Sequence, residues 1–227
     1  MKFLSQLRVG LPKEKIILGL DMGTSAIKFA KLRFTKEGVE LCGFGLEPLQ
    51  ADSEPVLKKI MQEQNIKKAN ISVSGPSVII RYVPFPKMSG GELKQALKFE
   101  AQKHIPFAVS EVNLDASILK SDLPDNKMLV MLAAVKKDFL SQRLKLMEGG
   151  GCSVANVDID AIALINSFSF NYSQDDRLKS KSIALLNIGA SFSNLSILED
   201  GLPRLSRDIQ IAGNNFTQKL ADSLELS

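Results

Sequence analysis

Five residues near the start of the chain have the types and spacing to hold a phosphate and a divalent cation. Asp21, Gly23, Thr24, Ser25 and Lys28 surround a turn between two apolar segments. Glycine lets backbone N–H groups approach a phosphate, the two hydroxyl groups add donors, and the lysine adds a positive charge. Asp21 would hold a Mg²⁺ ion through the water ligands of that ion. Because ordinary hairpin turns use the same residue types, the turn predicts either a polyphosphate site or a plain turn.

The turn differs from two familiar nucleotide-binding patterns. A Walker A loop needs G-x-x-x-x-G-K-[ST] at the start of a helix, and the dinucleotide fingerprint needs G-x-G-x-x-G. The flanking segments 16–21 and 26–34 instead predict a β-hairpin. A second strand–turn–strand pattern occurs much later, with predicted strands at 182–187 and 192–198 around the turn 187–191. The chain therefore contains two similar predicted hairpins.

The composition is that of an ordinary globular protein and excludes several classes. The 227 residues are 44% hydrophobic and 24% charged, with a formal net charge of +4. The basic residues are scattered, so nothing indicates nucleic acid binding. No apolar run approaches the roughly 18 residues of a membrane span, and residues 1–10 are too short and polar for a signal peptide.

Cysteine and histidine usage also argues against metal or Ser-His-Asp chemistry. Cys42 and Cys152 are far apart and lack metal-ligand spacing, which fits a reducing cytoplasm. The single histidine, His104, lies at the end of a predicted helix, where a structural role is expected.

The remaining elements form a mixed α/β pattern. Ser89 and Glu92 have the capping-box spacing and predict the start of a helix over 89–104. The glycines at 149–151 predict the end of a helix over 136–148, and the prolines in 84–88 predict an extended connector. Further predicted strands cover 39–46, 69–74, 78–84, 111–120, 127–135, 154–158 and 205–211. Further predicted helices cover 53–65, 159–170 and the end of the chain after residues 213–215.

Several later runs carry a family resemblance. They read F-P-K-M-S-x-x-E-L at 85–93, F-E-A-x-x-x-I-P-F at 99–107, E-V-N-L-D at 111–115, A-A-V-K-K at 133–137, V-D-I-D-A-I-A-L at 157–164 and I-Q-I-A-G-x-x-F-T at 209–217. In this order the runs closely resemble the PilM family, the actin-like component of the type IV pilus assembly platform, which is related to the division protein FtsA. The similarity extends over nearly the whole chain.

The resemblance implies an α/β, actin-like ATPase fold of the ribonuclease H-like type. It assigns residues 1–84 and 159–180 to subdomain IA, residues 85–158 to an inserted subdomain IC, and residues 181–227 to the start of subdomain IIA. The chains of this family continue through the rest of IIA and through IIB, and they carry a glycine-rich adenosine-binding segment. We therefore expect this chain to be C-terminally truncated, with an incomplete second half.

The resemblance also implies ATP and Mg²⁺ as ligands of the two turns. The first turn matches the phosphate-1 pattern of the superfamily. The residues corresponding to the phosphate-2 region are Asn187, Gly189, Ala190, Ser191 and, before the last helix, Gly213. The superfamily typically carries Asp-x-Gly where this chain has Asn187, and asparagine brings neither negative charge for hydrated Mg²⁺ nor a general base. We expect weak or regulatory nucleotide binding with poorer hydrolysis, or a turn that has lost its ligand.

The expected partner is the N-terminal tail of a PilN-like inner-membrane protein, which PilM-like proteins receive between IA and IC. Candidate walls of the groove are 78–82, 84–88 and the helix 89–104, although the aromatic residues there also suit a simple core. The resemblance thus implies a cytoplasmic scaffold that reaches the inner membrane only through partners, contacts other platform proteins, binds no nucleic acid and is able to form a homo-oligomer.

Two other functions fit parts of the sequence. An FtsA-like filament-forming division protein has a related fold, but the runs between 85 and 115 favour the pilus family. A phosphotransferase of the sugar-kinase branch needs a carboxylate base beside a sugar hydroxyl, and the sequence offers no convincing candidate.

Overall fold

The computed structural model describes residues 15–49 and 52–225 of the chain. These residues fall into two compact units. The first contains the described residues of Met1–Ser72 and Leu144–Asp158, and the second contains those of Val73–Arg143 and Ile159–Ser227.

Both units contain strands and helices. The strands are β1 Lys15–Met22, β2 Ala26–Phe34, β3 Val39–Pro48, β4 Lys68–Val73, β5 Val78–Pro86, β6 Val112–Leu123, β7 Lys127–Lys136, β8 Ser153–Ile159, β9 Ser182–Ile188, β10 Ser193–Glu199 and β11 Leu202–Ile209. The helices are α1 Glu54–Gln64, α2 Gly90–Ala101, α3 Lys137–Gly149, α4 Asp160–Tyr172 and α5 Gly213–Ser223.

The first unit is built on a five-stranded sheet in the order β3-β2-β1-β4-β8. β1 is antiparallel to β2 and parallel to β4. Leu18 and Leu20 on β1 are buried and alternate with less buried residues, as expected for a strand with one covered face. They form a core with Leu57 and Ile60 of α1. Because a shift of one residue would turn this apolar set outward, the packing fixes the register that positions Asp21 near the end of β1.

A three-stranded sheet in the second unit has the order β5-β7-β6 and carries α2. Val130, Leu132 and Ala134 of the central strand β7 are fully buried. The capping box at the start of α2 is present: the Glu92 N–H donates to Ser89 Oγ at 3.3 Å, and the Ser89 N–H donates to Glu92 Oε2 at 2.7 Å. Two otherwise unsatisfied donors of the helix start are therefore bonded.

The other sheet of the second unit has the order β11-β10-β9, with β10 antiparallel to both neighbours. Hydroxyl side chains on this sheet form hydrogen bonds within the protein. The Ser206 hydroxyl lies 2.9 Å from the Tyr82 hydroxyl and 3.0 Å from that of Ser196, which is fully buried. Burial raises the pKa of the Tyr82 phenol, and its hydrogen bond to Ser206 opposes that rise.

Most predicted elements are confirmed within a few residues, including the strand 26–34 and the Ser89–Glu92 capping box. The connector predicted at 84–88 was wrong for its first half, because β5 continues through Pro86 and pairs Pro84 with Leu129. β5 lies at the edge of its sheet, where a proline without an N–H interrupts no second ladder.

β11 also begins three residues earlier than the predicted strand 205–211. The reason is a tight turn at Asp200 and Gly201, both of which have positive φ, of 50° and 73°. Residues with positive φ form tight turns, so β11 begins directly after Gly201.

Two strands join sheets other than those suggested by the predicted subdomain boundaries. β5, mostly within predicted IA, pairs with β7 of predicted IC. β8, within predicted IC, lies next to β4 in the five-stranded sheet. The division into subdomains IA, IC and IIA stays a prediction.

Candidate functional site

The first candidate loop connects β1 to β2 in the first unit. Asp21 and Lys28 face each other across the two strands, and Lys28 Nζ donates to Asp21 Oδ2 at 2.7 Å. Both side chains are more than one-third exposed, so the pair contributes little to stability, about 0–1 kcal/mol. The structure thus brings the predicted cation ligand and the predicted phosphate lysine into direct contact.

The turn of this loop depends on Gly23. A Cβ at this position would lie 2.8 Å from the Ala26 carbonyl oxygen, closer than real side chains approach. Thr24 and Ser25 lie in the exposed part of the turn, and the Leu49 N–H donates to the Ser25 carbonyl at 2.8 Å. The hydroxyl groups are therefore presented at the surface on a turn that only glycine can form without displacement.

The second candidate loop connects β9 to β10 in the second unit. Asn187 faces Asn194 across the strands, and Asn187 Nδ2 donates to Asn194 Oδ1 at 3.4 Å. The buried Asn194 donates through its own Nδ2 to Asp208 Oδ1 on β11. Asp208 Oδ2 also accepts the Gly75 N–H at 2.8 Å. A chain of hydrogen bonds therefore links Asn187, the predicted ligand, to the segment between β4 and β5.

The turn after β9 is closed by the start of α5. The Gly189 N–H donates to the Phe192 carbonyl at 3.0 Å, and a Cβ on Gly189 would lie 2.7 Å from the same oxygen. The Gly213 N–H donates to the Gly189 carbonyl at 2.9 Å, and the Asn214 N–H donates to the Ala190 carbonyl at 2.9 Å. The Gly213 N–H is thus used within the protein, and Gly213 acts as a close packing point rather than as an open donor.

The two loops have the same local geometry but different charge. Asp21 pairs with Lys28 in the first loop and Asn187 pairs with Asn194 in the second, so each pair is seven positions apart. The glycine of each loop, Gly23 or Gly189, lies against the carbonyl oxygen of the residue three positions later. The first loop carries an acid and a lysine, whereas the second carries two neutral amides.

The sequence interpretation missed Asn194, Asp208 and Gly75 as parts of this network. They line a cavity of about 210 Å³ in the second unit, whose walls are completed by apolar residues of β5 and α4. No local motif marks these residues in the sequence, because the contacts join positions 75, 194 and 208 only after folding.

The described residues 15–49 and 52–225 contain no group of three or more His, Cys, Asp or Glu side chains suited to hold a metal ion. Within the same ranges no helix has the length and apolarity needed to cross a membrane. A carboxylate such as that of Asp21 would hold a hydrated Mg²⁺ ion through the water ligands of that ion.

Solved structures with a similar fold include a chain of the PilM–PilN type IV pilus biogenesis complex. The TM-score is 0.79 at 23% identity, over 93% of this chain and 66% of that chain. Another is the cytoplasmic domain of EpsL, an inner-membrane component of the type II secretion system of Vibrio cholerae, with a TM-score of 0.56 at 13% identity, over 86% of this chain and 71% of that domain. The chain is thus an α/β protein with the actin-like ATPase fold.

The family follows from the sequence. The family model of type IV pilus assembly protein PilM matches residues 19–227, which is most of the chain. The chain therefore belongs to the PilM family, as the motifs after residue 85 predict. It spans 66% of the matched chain of the PilM–PilN complex.

Proposed function

We propose that this protein is an actin-like scaffold of type IV pilus assembly that binds a Mg²⁺–ATP-type nucleotide through the loops after β1 and β9. The observation that carries the proposal is their shared geometry, with equal cross-strand offset and an equivalent glycine contact in each loop. Each glycine turn, taken by itself, is of the kind that lets a phosphate approach the backbone closely. Family membership supports the same reading.

In this proposal the first loop supplies the charges. Asp21 would hold the water ligands of Mg²⁺, whose charge would compensate the carboxylate in place of Lys28. Lys28, whose Nζ lies 2.7 Å from Asp21 Oδ2, would then pair with the negative phosphate oxygens. The exchange costs little because the exposed ion pair is weak.

In this proposal the second loop positions the nucleotide without contributing a charge. Asn187 offers an amide where the superfamily pattern has an acid, so it neither attracts the hydrated cation nor accepts a proton from water. We therefore propose that the nucleotide regulates assembly and that turnover is slow. The missing carboxylate affects hydrolysis more than nucleotide binding, because negative charge develops in the transition state of hydrolysis.

The test is Asn187→Asp with a nonhydrolysable ATP analogue, measured by titration calorimetry with and without Mg²⁺. We expect an increase in Mg²⁺-dependent affinity of about tenfold, equivalent to about 1.4 kcal/mol. Asn166→Asp is the matched control, because Asn166 is an exposed asparagine on α4. Equal affinities of wild type and Asn187→Asp would mean that the second loop does not contact the nucleotide.

Asp21→Asn tests the first loop in the same assay. Removing the only carboxylate of that loop should abolish the Mg²⁺ dependence while a weaker, Mg²⁺-independent binding remains. If the Mg²⁺ dependence persisted in Asp21→Asn, the proposed water-mediated role of Asp21 would be wrong.

We further propose that the protein binds the N-terminal tail of a PilN-like inner-membrane protein, and that this tail and other platform proteins hold it at the membrane. The matched PilM–PilN complex supports this proposal. The proposed walls are residues 78–82, residues 84–88 and α2. β5 supports strand addition because, within residues 15–49 and 52–225, it has a single neighbour in its sheet, β7.

Titration of a synthetic tail peptide from the PilN-like protein of the same organism tests the partner. We expect binding that Tyr82→Ala weakens. A scrambled peptide is the control. If the titration released no heat, and if the tail peptide also failed to compete with a labelled copy of itself, the proposal would be contradicted.

A further inference from the structure

α2 has one face that is buried and one that is not. Leu93, Leu97 and Ala101 are 3%, 9% and 0% exposed and pack into the core of the β5-β7-β6 sheet. At about 100° per residue these three residues define one side of the helix. The opposite side is centred on Gln95, Phe99 and Gln102.

Phe99 stands out on that side because 76% of its surface is exposed. Burial of an aromatic ring is normally favourable, and Phe99 forgoes most of that gain. The exposed ring lies in a well-formed helix with an intact capping box, so it does not result from a frayed end.

The surroundings of Phe99 are basic. Lys94 and Lys98 lie on one flank of the ring, one helical turn apart, and Lys103 lies on the other. Lys103 pairs with Glu100 at 2.8 Å. Among residues 15–49 and 52–225, Lys94 and Lys98 take part in none of the ion pairs, so two positive charges are uncompensated on this face.

We infer that this α2 outer face, made of Lys94, Gln95, Lys98, Phe99 and Gln102, docks an acidic segment of a protein partner. Phe99 enters an apolar pocket of the partner, and carboxylates pair with the two lysines. Residues one helical turn apart have Cβ atoms about 5–6 Å apart. Acids at i and i+4 of a helix, or at i and i+2 of an extended segment, match this spacing.

Charge argues for an acidic protein over other occupants. Two copies of the same face would bring four uncompensated lysines together, and like charges oppose such a contact. The attraction of a protein to an anionic membrane grows with the number of basic residues near the surface, so two lysines and one ring would bind only weakly. A protein segment that has suitably spaced acids and an apolar pocket would contact both lysines and the Phe99 ring. Buried aromatic residues are frequent hot spots of protein interfaces.

The inference goes beyond the proposed binding of nucleotide and of the PilN-like tail, and it needs neither. Photo-crosslinking in the native host tests it, with the full chain carrying p-benzoylphenylalanine in place of Phe99. Phe170, 55% exposed on α4, is the matched control position. Mass spectrometry of the adducts then identifies the segment that contacts each position.

We expect an adduct at position 99, and not at position 170, with a segment that contains at least two acidic residues at the stated spacing. Lys94→Glu together with Lys98→Glu should lower the yield at least fivefold, whereas Lys145→Glu on α3 should leave it unchanged. Lys94→Gln with Lys98→Gln provides a milder pair, and circular dichroism checks that each variant is folded. Excess tail peptide that is present during irradiation should not lower the adduct yield.

Four results would overturn the inference. They are an adduct with lipid, an adduct with a second copy of the chain, an adduct with a segment that lacks acids, and no adduct at position 99. Loss of nucleotide or tail binding in separate assays would leave these readouts unchanged, so the two proposals fail independently.

Discussion

Gly189 offers a direct test of the proposed loop geometry, through replacement by alanine. The added Cβ would lie 2.7 Å from the Phe192 carbonyl oxygen. That oxygen is held by the Gly189 N–H at 3.0 Å, so it cannot move away without loss of the hydrogen bond. Forcing extra volume into such a site costs about 1–3 kcal/mol. For a chain of this size, a loss of about 2 kcal/mol lowers the Tm by about 4–8 °C.

Thermal unfolding followed by circular dichroism measures the effect, and Gly90→Ala is the control. Gly90 opens α2 with no atom within 4 Å of an added Cβ, so alanine there should leave the Tm unchanged or raise it slightly. Gly23→Ala should behave like Gly189→Ala, since its Cβ would lie 2.8 Å from the Ala26 oxygen. If Gly189→Ala unfolded at the temperature of the wild type, the argument that each turn requires glycine would be wrong.

Three further substitutions test the packing that supports the loops. Ser89→Ala removes the cap of α2 and should cost about 1 kcal/mol in denaturant unfolding, whereas Ser89→Asp should retain most of the stability. Leu57→Ala, at a fully buried position beneath β1, should cost about 2–5 kcal/mol, and a loss below 1 kcal/mol would show that the site collapses around the smaller residue. Burial raises the pKa of the Tyr82 phenol above its usual value, so stability present below about pH 10 is lost as the phenol ionises at higher pH. The free energy of unfolding of Tyr82→Phe should therefore fall less steeply with pH above about pH 10 than that of the wild type, and parallel pH profiles would exclude this role.

Local patterns were sufficient to predict most of the elements. The capping box fixes the start of α2, because the spacing of Ser89 and Glu92 specifies two hydrogen bonds within one turn. Both hairpins were also predictable, since each combines apolar strands with a small-residue turn. In such cases the determining contacts lie only a few residues apart in the chain.

Non-local pairing set the parts that could not be predicted. Nothing near β8 indicates that it joins β4 in the five-stranded sheet. The partners of the candidate ligands were missed for the same reason. Asp208 and Gly75 are 133 positions apart, and sequence spacing carries no information about their hydrogen bond.

β3 has a practical consequence for handling the protein. It lies at the edge of the five-stranded sheet and exposes Leu41, Phe44 and Leu46, with Phe44 77% exposed. An open edge with apolar side chains favours strand pairing between molecules, which the flanking Glu40 and the bulge opposite Lys31 only partly oppose. Concentrated samples should therefore associate irrespective of nucleotide, and Phe44→Glu is the simplest change to keep them dispersed without altering either loop.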